Sequence, residues 1–127
     1  MALQVELVSP EQILYSGEAE MVVARTSEGD IAFLTGHSPF IGSLGIGAVT
    51  IRTTEGTEEK AAVHGGFVEV SGDRVTILSD VAELASQIDR NRAQRAVEDA
   101  ERRARETDDA EAEGALRRAR LRVEIAS

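Results

Sequence analysis

The sequence predicts an α+β protein, in which an N-terminal antiparallel β-sandwich precedes a C-terminal two-helix antiparallel hairpin. Up to residue 84, short runs of alternating apolar and polar residues are separated by glycine-containing turns, which is typical of half-buried strands. From residue 85, alanine recurs at three- and four-residue steps among arginines and acids, which is typical of helices. We therefore divide the chain into a sandwich, residues 1–84, and a helical hairpin, residues 85–127.

The strands of residues 1–84 are marked by alternation and by the turns between them. Leu3, Val5 and Leu7 alternate with polar neighbours, as in a strand with one buried face. Further strands are predicted at 13–15, 19–26, 31–34, 48–54, 59–63, 67–70 and 75–78. The predicted turns between strands include Ser16-Gly17, Gly36-His37-Ser38-Pro39, Glu55-Gly56, Gly65-Gly66 and Gly72-Asp73. Turn signals at this spacing favour an antiparallel sandwich or barrel.

The hairpin of residues 85–127 is predicted to form easily and to dock loosely. One alanine stripe runs from Ala93 to Ala104, a second runs from Ala112 to Val123, and Thr107-Asp108-Asp109 supplies turn and cap formers between them. Alanine and arginine are strong helix formers, but each buried methyl-sized group contributes only about 0.8 kcal/mol to docking. A hairpin that changes position and an inert solvated hairpin are both compatible with this composition.

Composition excludes several classes of function. The net charge of −9 arises entirely in residues 1–84, which carry four basic and thirteen acidic side chains, whereas residues 85–127 carry ten of each. This acidic sandwich argues against nucleic acid as a partner. With no cysteine, neither a disulfide nor a thiolate metal site can form. We expect no signal peptide and no membrane span, so that membrane association arises only through partners.

No catalytic constellation is apparent. The chain lacks a phosphate-cradling P-loop, and proline and phenylalanine follow Ser38 where a nucleophile elbow would need a glycine after one variable residue. His37 and His64 lie far apart in sequence and are read as ordinary turn or surface residues rather than metal ligands. An enzyme built on the sandwich is therefore disfavoured. We expect no catalytic residue, no metal and no required cofactor.

The stretch IDRNRA, residues 88–93, begins the helical part and has two readings. Asp89 can cap the first helix, and Arg92 can pair with it across one turn. Alternatively, the planar guanidinium of Arg92 can bind phosphate, helped by the backbone donors at the helix start. Spacing alone favours the cap, and both readings stay open.

Taken in order, these segments resemble the epsilon subunit of the F-type ATP synthase over essentially the whole chain. Order and spacing carry the resemblance, and no single motif decides it. The matching segments are Leu7-Val8-Ser9-Pro10-Glu11 with Ser16-Gly17, Ser27-Glu28-Gly29-Asp30, Gly36-His37-Ser38-Pro39, Gly65-Gly66-Phe67-Val68-Glu69-Val70, Val75-Thr76-Ile77-Leu78-Ser79-Asp80 and Ile88-Asp89-x-x-Arg92-Ala93.

The resemblance implies a non-catalytic subunit of the rotor's central stalk, peripheral on the cytoplasmic face of a bacterial plasma membrane. The sandwich would have about ten strands, bind the gamma subunit and stand on the c-ring. The hairpin would either fold on the sandwich or extend along gamma into the alpha/beta catalytic sector, where it restrains ATP hydrolysis. Asp30 falls at the acidic position that faces the c-ring loops, and His37 falls in a loop near that contact.

The resemblance also implies ATP as a regulatory ligand. In some members the sequence I/L-D-x-x-R-A binds ATP, which stabilises the folded hairpin, and the residues that match it are Ile88, Asp89, Arg92 and Ala93. Glu83, just upstream, could help to shape such a site. Two departures stand against it. Asp99 replaces an arginine of the nucleotide-binding members and would repel phosphate, and a basic residue of the second helix has no clear counterpart.

An alternative of a different class is a stand-alone ATP-sensing module, in which nucleotide binding at Asp89 and Arg92 moves the hairpin without a rotor. Loss of ATP binding in Arg92→Ala, in a protein that works alone, would favour it. In the rotor reading, several arginines could contact the catalytic sector when the hairpin extends; they are Arg102, Arg103, Arg117, Arg118, Arg120 and Arg122.

Overall fold

A computed structural model describes residues 2–26, 28–107 and 109–126. Ser27 and Asp108, which belong to predicted segments, lie outside the described residues. The elements are β1 (Leu3–Ser9), β2 (Gln12–Thr26), β3 (Gly29–Leu34), β4 (Phe40–Thr53), β5 (Glu58–Ser71), β6 (Arg74–Ser79), β7 (Ala82–Leu84), a 3₁₀ turn (Ala85–Gln87), α1 (Arg90–Glu106) and α2 (Ala110–Ile125).

The strands form a sheet that closes on itself around one core. Their order is β1-β6-β5-β4-β2-β3, β7 adds to β5, and β1 also pairs with β2. Pairing is antiparallel throughout the described strands except between β1 and β6, which run parallel. The largest fully buried side chains include Phe33, Leu3, Leu7, Ile51 and Ile77. The predicted class, a sandwich followed by a helical hairpin, is confirmed.

Seven strands are seen in the described residues instead of about ten, and two wrong turn predictions account for two of the missing strands. β2 continues through Ser16-Gly17, and β5 continues through Gly65-Gly66. At Gly66 the backbone φ is +129°, and an added Cβ would lie 2.1 Å from the Leu78 carbonyl oxygen. This glycine therefore serves the close approach of β6 and does not reverse the chain.

The other turn predictions are confirmed. Gly56, with φ of +87°, lies between β4 and β5, and Gly72, with φ of +61°, lies between β5 and β6. Glycine adopts these left-handed conformations without a Cβ penalty. The segment 36–39 links β3 to β4, as its glycine and proline indicate.

The two helices form a hairpin that packs on the sandwich. Asp109 caps α2 by accepting the backbone N–H of Glu111 at 3.0 Å. Leu121 and Ile125 of α2 form a cluster with Ala62 of β5 and with residues of the hairpin's start. In the fold Leu121 and Ile125 are the large apolar groups that hold α2 on the sheet.

Candidate nucleotide site and partner surfaces

A cleft of about 360 Å³ opens where the end of the sandwich meets both helices. Clefts of this size accommodate small-molecule ligands. Its lining includes all four residues predicted to bind nucleotide; the full set is Glu83, Gln87, Ile88, Asp89, Arg92, Ala93, Ala96 and Arg122. Because α1 and α2 run antiparallel, the end of α2 lies beside the start of α1. Residues far apart in sequence therefore share one cleft.

Asp89 and Arg92 have separate roles at the start of α1. The Asp89 carboxylate accepts the backbone N–H of Arg92 at 3.1 Å, which confirms the cap. The predicted ion pair between the two side chains does not form. Among the described residues, no carboxylate lies within 4.0 Å of the Arg92 guanidinium. The cap thus leaves the Arg92 guanidinium available to an anion in the cleft.

Arg122 is the charged residue of the cleft that the sequence alone did not predict for this site. Its Nε donates to Glu83 Oε1 at 2.6 Å, which joins α2 to β7 across the cleft. The second helix therefore does supply a basic group, although no counterpart was expected there. An antiparallel hairpin brings an arginine near the end of α2 beside the start of α1, and this argument could have identified it. Glu83 lies in the cleft, as proposed from its position.

Asp99 is not among the residues that line the cleft. It lies exposed on α1 and forms an ion pair with Arg102, one turn further along the same helix. Asp99 is therefore not placed to repel a phosphate group in the cleft, and Arg102 balances its charge on the helix surface.

Asp30 lies at the start of β3 and is held by Arg25, its direct cross-strand partner in β2. The guanidinium makes two contacts with the carboxylate, Nε to Oδ1 at 2.9 Å and Nη2 to Oδ2 at 3.3 Å. This hydrogen-bonded pairing lowers the pKa of Asp30 and keeps it ionised. Because the Asp30 side chain is still 55% exposed, it remains accessible to a partner.

His37 lies beyond the opposite end of β3, so the structure does not bring it together with Asp30. Its ring packs edge-on against Phe33, with ring centroids 5.1 Å apart. The four residue steps from Asp30 to Leu34 span about 13 Å of strand, and the turn that carries His37 follows. Asp30 and His37, which were predicted to belong to one contact, therefore lie at two separate points of the surface.

An apolar row crosses four neighbouring strands on the outside of the sandwich. Phe67 pairs with Leu78, Leu78 with Val8, and Val8 with Ile13, each as direct register partners. The side chains of Phe67, Leu78 and Ile13 are 58%, 54% and 64% exposed. Contiguous exposed apolar side chains mark interaction surfaces. Strand alternation did not reveal this row, because β5 and β6 carry apolar residues on both faces.

Comparison with known proteins identifies the family. Residues 2–85 match the family described as ATP synthase, Delta/Epsilon chain, beta-sandwich domain. The ATP synthase epsilon chain of Streptomyces avermitilis is 46% identical over 125 residues, which cover 98% of this chain and 95% of that protein. The chain belongs to the ATP synthase epsilon-chain family. The resemblance inferred from the order of short segments is therefore confirmed.

A second epsilon chain supports the family, and a solved structure supports the fold. The epsilon chain of Streptomyces griseus is 52% identical over 96 residues, which cover 76% of this chain and 77% of that protein. A chain of the Euglena gracilis mitochondrial ATP synthase, solved as OSCP/F1/c-ring in rotational state 1, superposes with a TM-score of 0.84 at 22% identity. That match covers 94% of this chain and 78% of the Euglena chain. At this identity it supports the fold.

Within the described ranges, no helix combines the length and apolar character that a bilayer span requires. Nor do three or more histidine, aspartate or glutamate side chains of that part of the chain gather in a geometry suited to a metal ion.

Proposed function

We propose that the chain is a central-stalk subunit of an F-type ATP synthase that couples the gamma subunit to the c-ring and has no catalytic activity of its own. The observation that carries the proposal is the apolar row of Phe67, Leu78, Val8 and Ile13. Three of its four side chains, those of Phe67, Leu78 and Ile13, stay exposed in the isolated chain, which suits a surface covered by a permanent partner. We assign this row to gamma.

The c-ring contact is assigned to the end of the sandwich that carries Asp30. Its carboxylate is ionised, exposed and oriented by Arg25, which suits a polar contact with the c-ring loops. His37 lies at the other end of β3, so in this proposal it contributes to a separate part of the rotor contact. A subunit held in this way lies peripherally on the cytoplasmic face of a bacterial plasma membrane, attached through its partners.

The hairpin is proposed to regulate ATP hydrolysis by leaving the sandwich and extending towards the alpha/beta catalytic sector. The contact that holds α2 on the sheet is small, since it depends mainly on Leu121, Ile125 and alanines and on the Arg122–Glu83 ion pair. Such a contact can be opened by a modest change in conditions. Arginines exposed on the helices, among them Arg102, Arg103, Arg117 and Arg120, would then meet acidic surfaces of that sector.

ATP is proposed as a ligand of the cleft that favours the docked hairpin. Arg92 and Arg122 offer two guanidinium groups to phosphate, and the start of α1 adds its positive dipole end. The apolar side chains of Ile88, Ala93 and Ala96 line the same cleft. Because the cleft is formed jointly by β7, α1 and α2, a ligand that fills it binds only the docked state and stabilises it by linkage.

The proposal is tested by adding the purified chain back to the matching catalytic sector that has been stripped of this subunit. Tight binding with falling ATP hydrolysis is expected, and deletion of residues 85–127 should relieve the inhibition while binding persists. Binding without inhibition would reject the regulatory hairpin and keep the stalk role. Absence of binding would reject the stalk role and leave the stand-alone ATP-sensing module, which the cleft favours.

Phe67→Asp is expected to weaken binding to the stripped catalytic sector at least tenfold, because it places a charge at the centre of an apolar contact. The measurement is the dissociation constant of the labelled chain. Leu34→Asp is the matched control, since Leu34 is also exposed, at 53%, but lies outside the row. Equal losses in both variants would contradict the assignment of the row.

Arg92→Ala is expected to raise the dissociation constant for Mg-ATP about 10- to 100-fold, the loss typical of a charge-assisted hydrogen bond. Titration calorimetry of the full chain measures it. Arg90→Ala is the control, because Arg90 is exposed on the same turn of α1 but does not line the cleft. If both variants bind Mg-ATP like the parent chain, the cleft is not a nucleotide site.

A further inference from the structure

Two basic groups compete for one carboxylate oxygen where the hairpin meets the sandwich. Glu83 Oε1 lies 2.6 Å from Arg122 Nε and 3.4 Å from His64 Nε2. Glu83 and His64 belong to β7 and β5 of the sandwich, whereas Arg122 belongs to α2 of the hairpin. The Arg122 contact therefore holds the hairpin down, and a contact between His64 and Glu83 stays within the sandwich.

In the docked state, a second proton on the His64 ring would have no hydrogen-bond acceptor. Its side chain is only 4% exposed, and its Nδ1 is buried without a hydrogen-bond partner among the described residues. Since an ionised Glu83 can only accept, the neutral ring carries its hydrogen on Nε2, and Nδ1 is then an acceptor. Protonation would create a buried N–H donor that lacks an acceptor, which is costly in a protein interior.

Burial and the neighbouring arginines also disfavour protonation of the His64 ring. Burial is the main reason that the pKa of His64 lies below 6.5, and the positive charges of Arg122 and, more weakly, Arg118 lower it further. The hydrogen bond and charge of Glu83 oppose these effects without overcoming them. When the hairpin leaves, both arginines leave with α2 and the ring meets water, while Glu83 remains beside it. His64 therefore binds a proton more tightly in the undocked state.

We propose that His64 is a proton switch for the hairpin: acidification moves Glu83 from Arg122 to His64 and releases α2 from the sandwich. This inference rests on the movable hairpin of the proposed function. Docking is most stable at high pH and weakens as the pH falls through the range between the pKa of His64 in the undocked state and its lower pKa in the docked state, because the undocked state binds the extra proton. Acid would thus favour the extended, inhibitory hairpin.

Docking can be followed in the full chain by single-molecule energy transfer. The chain has no cysteine, so Ser71→Cys and Glu113→Cys, both at exposed positions, attach one dye to β5 and one to α2. Between pH 7.5 and 5.5, at constant ionic strength, we expect the docked-to-undocked ratio to fall with acidification by up to about tenfold per pH unit, the limit for one proton. His64→Gln should abolish this dependence, whereas His37→Gln, at the other histidine, should retain it.

The possible results distinguish the His64 switch from the movable hairpin on which it rests. Opening with the same pH dependence in His64→Gln as in the parent chain overturns the switch and leaves the movable hairpin intact. Absence of opening at any pH overturns both. If His64→Gln does not fold, NMR titration of the parent chain decides, because a His64 ring that titrates at or above 6.5 while the hairpin stays docked also overturns the switch.

Discussion

Leu121→Ala is expected to lower the free energy of hairpin docking by about 2–3 kcal/mol, the low end of the range for a buried leucine. Leu121 is 8% exposed and belongs to the cluster that joins α2 to Ala62. Alanine is at least as good a helix former, so α2 itself should persist. The undocked-to-docked ratio should rise about 30- to 150-fold. Energy transfer between dyes at Ser71→Cys and Glu113→Cys measures it.

The consequences for function follow from that shift in population. In the add-back assay, Leu121→Ala should inhibit ATP hydrolysis more strongly than the parent chain, and it should bind Mg-ATP more weakly, because fewer molecules have a formed cleft. Arg117→Ala, at an exposed position of α2, should change neither hairpin docking nor Mg-ATP binding. Stronger docking or weaker inhibition in Leu121→Ala would contradict the regulatory role of the hairpin.

Gly66→Ala is expected to reduce the free energy of unfolding by about 3–5 kcal/mol, the upper range for single substitutions. Its φ of +129° disfavours any side chain, and the added Cβ would lie 2.1 Å from the Leu78 carbonyl oxygen and 2.8 Å from Ser79 Cα. These are backbone atoms of β6, which cannot move without breaking the pairing with β5. Urea denaturation followed by circular dichroism measures the loss.

Gly56→Ala separates the two causes of that loss. Gly56 also has a positive φ, +87°, but an added Cβ would meet no atom within 4 Å. It should cost about 1 kcal/mol, the strain of the backbone alone. If the two variants lose equal stability, the close approach of β6 is not what requires glycine at residue 66.

Much of the fold could be predicted because it depends on local physics. Alternation in residues 3–7 gave β1, the hairpin tips at Gly56 and Gly72 were recognised from turn chemistry, and Asp89 was identified as a helix cap. The two wrong turns, Ser16-Gly17 and Gly65-Gly66, have the same local composition as the correct ones. The requirement at Gly66 is imposed by a neighbouring strand, which no local pattern reveals.

The candidate site likewise combines features that the sequence alone predicts with features that depend on the tertiary structure. Sequence alone determined the sandwich and hairpin order, the four residues at the start of α1 that line the cleft, and membership of the epsilon-chain family. Only the tertiary structure decided that Arg122 completes the cleft, that Asp99 lies outside it, and that His64 shares a carboxylate with Arg122. Capping and strand alternation act between residues close in sequence. The contacts of Glu83 join segments that meet only after the antiparallel hairpin has packed on the sheet.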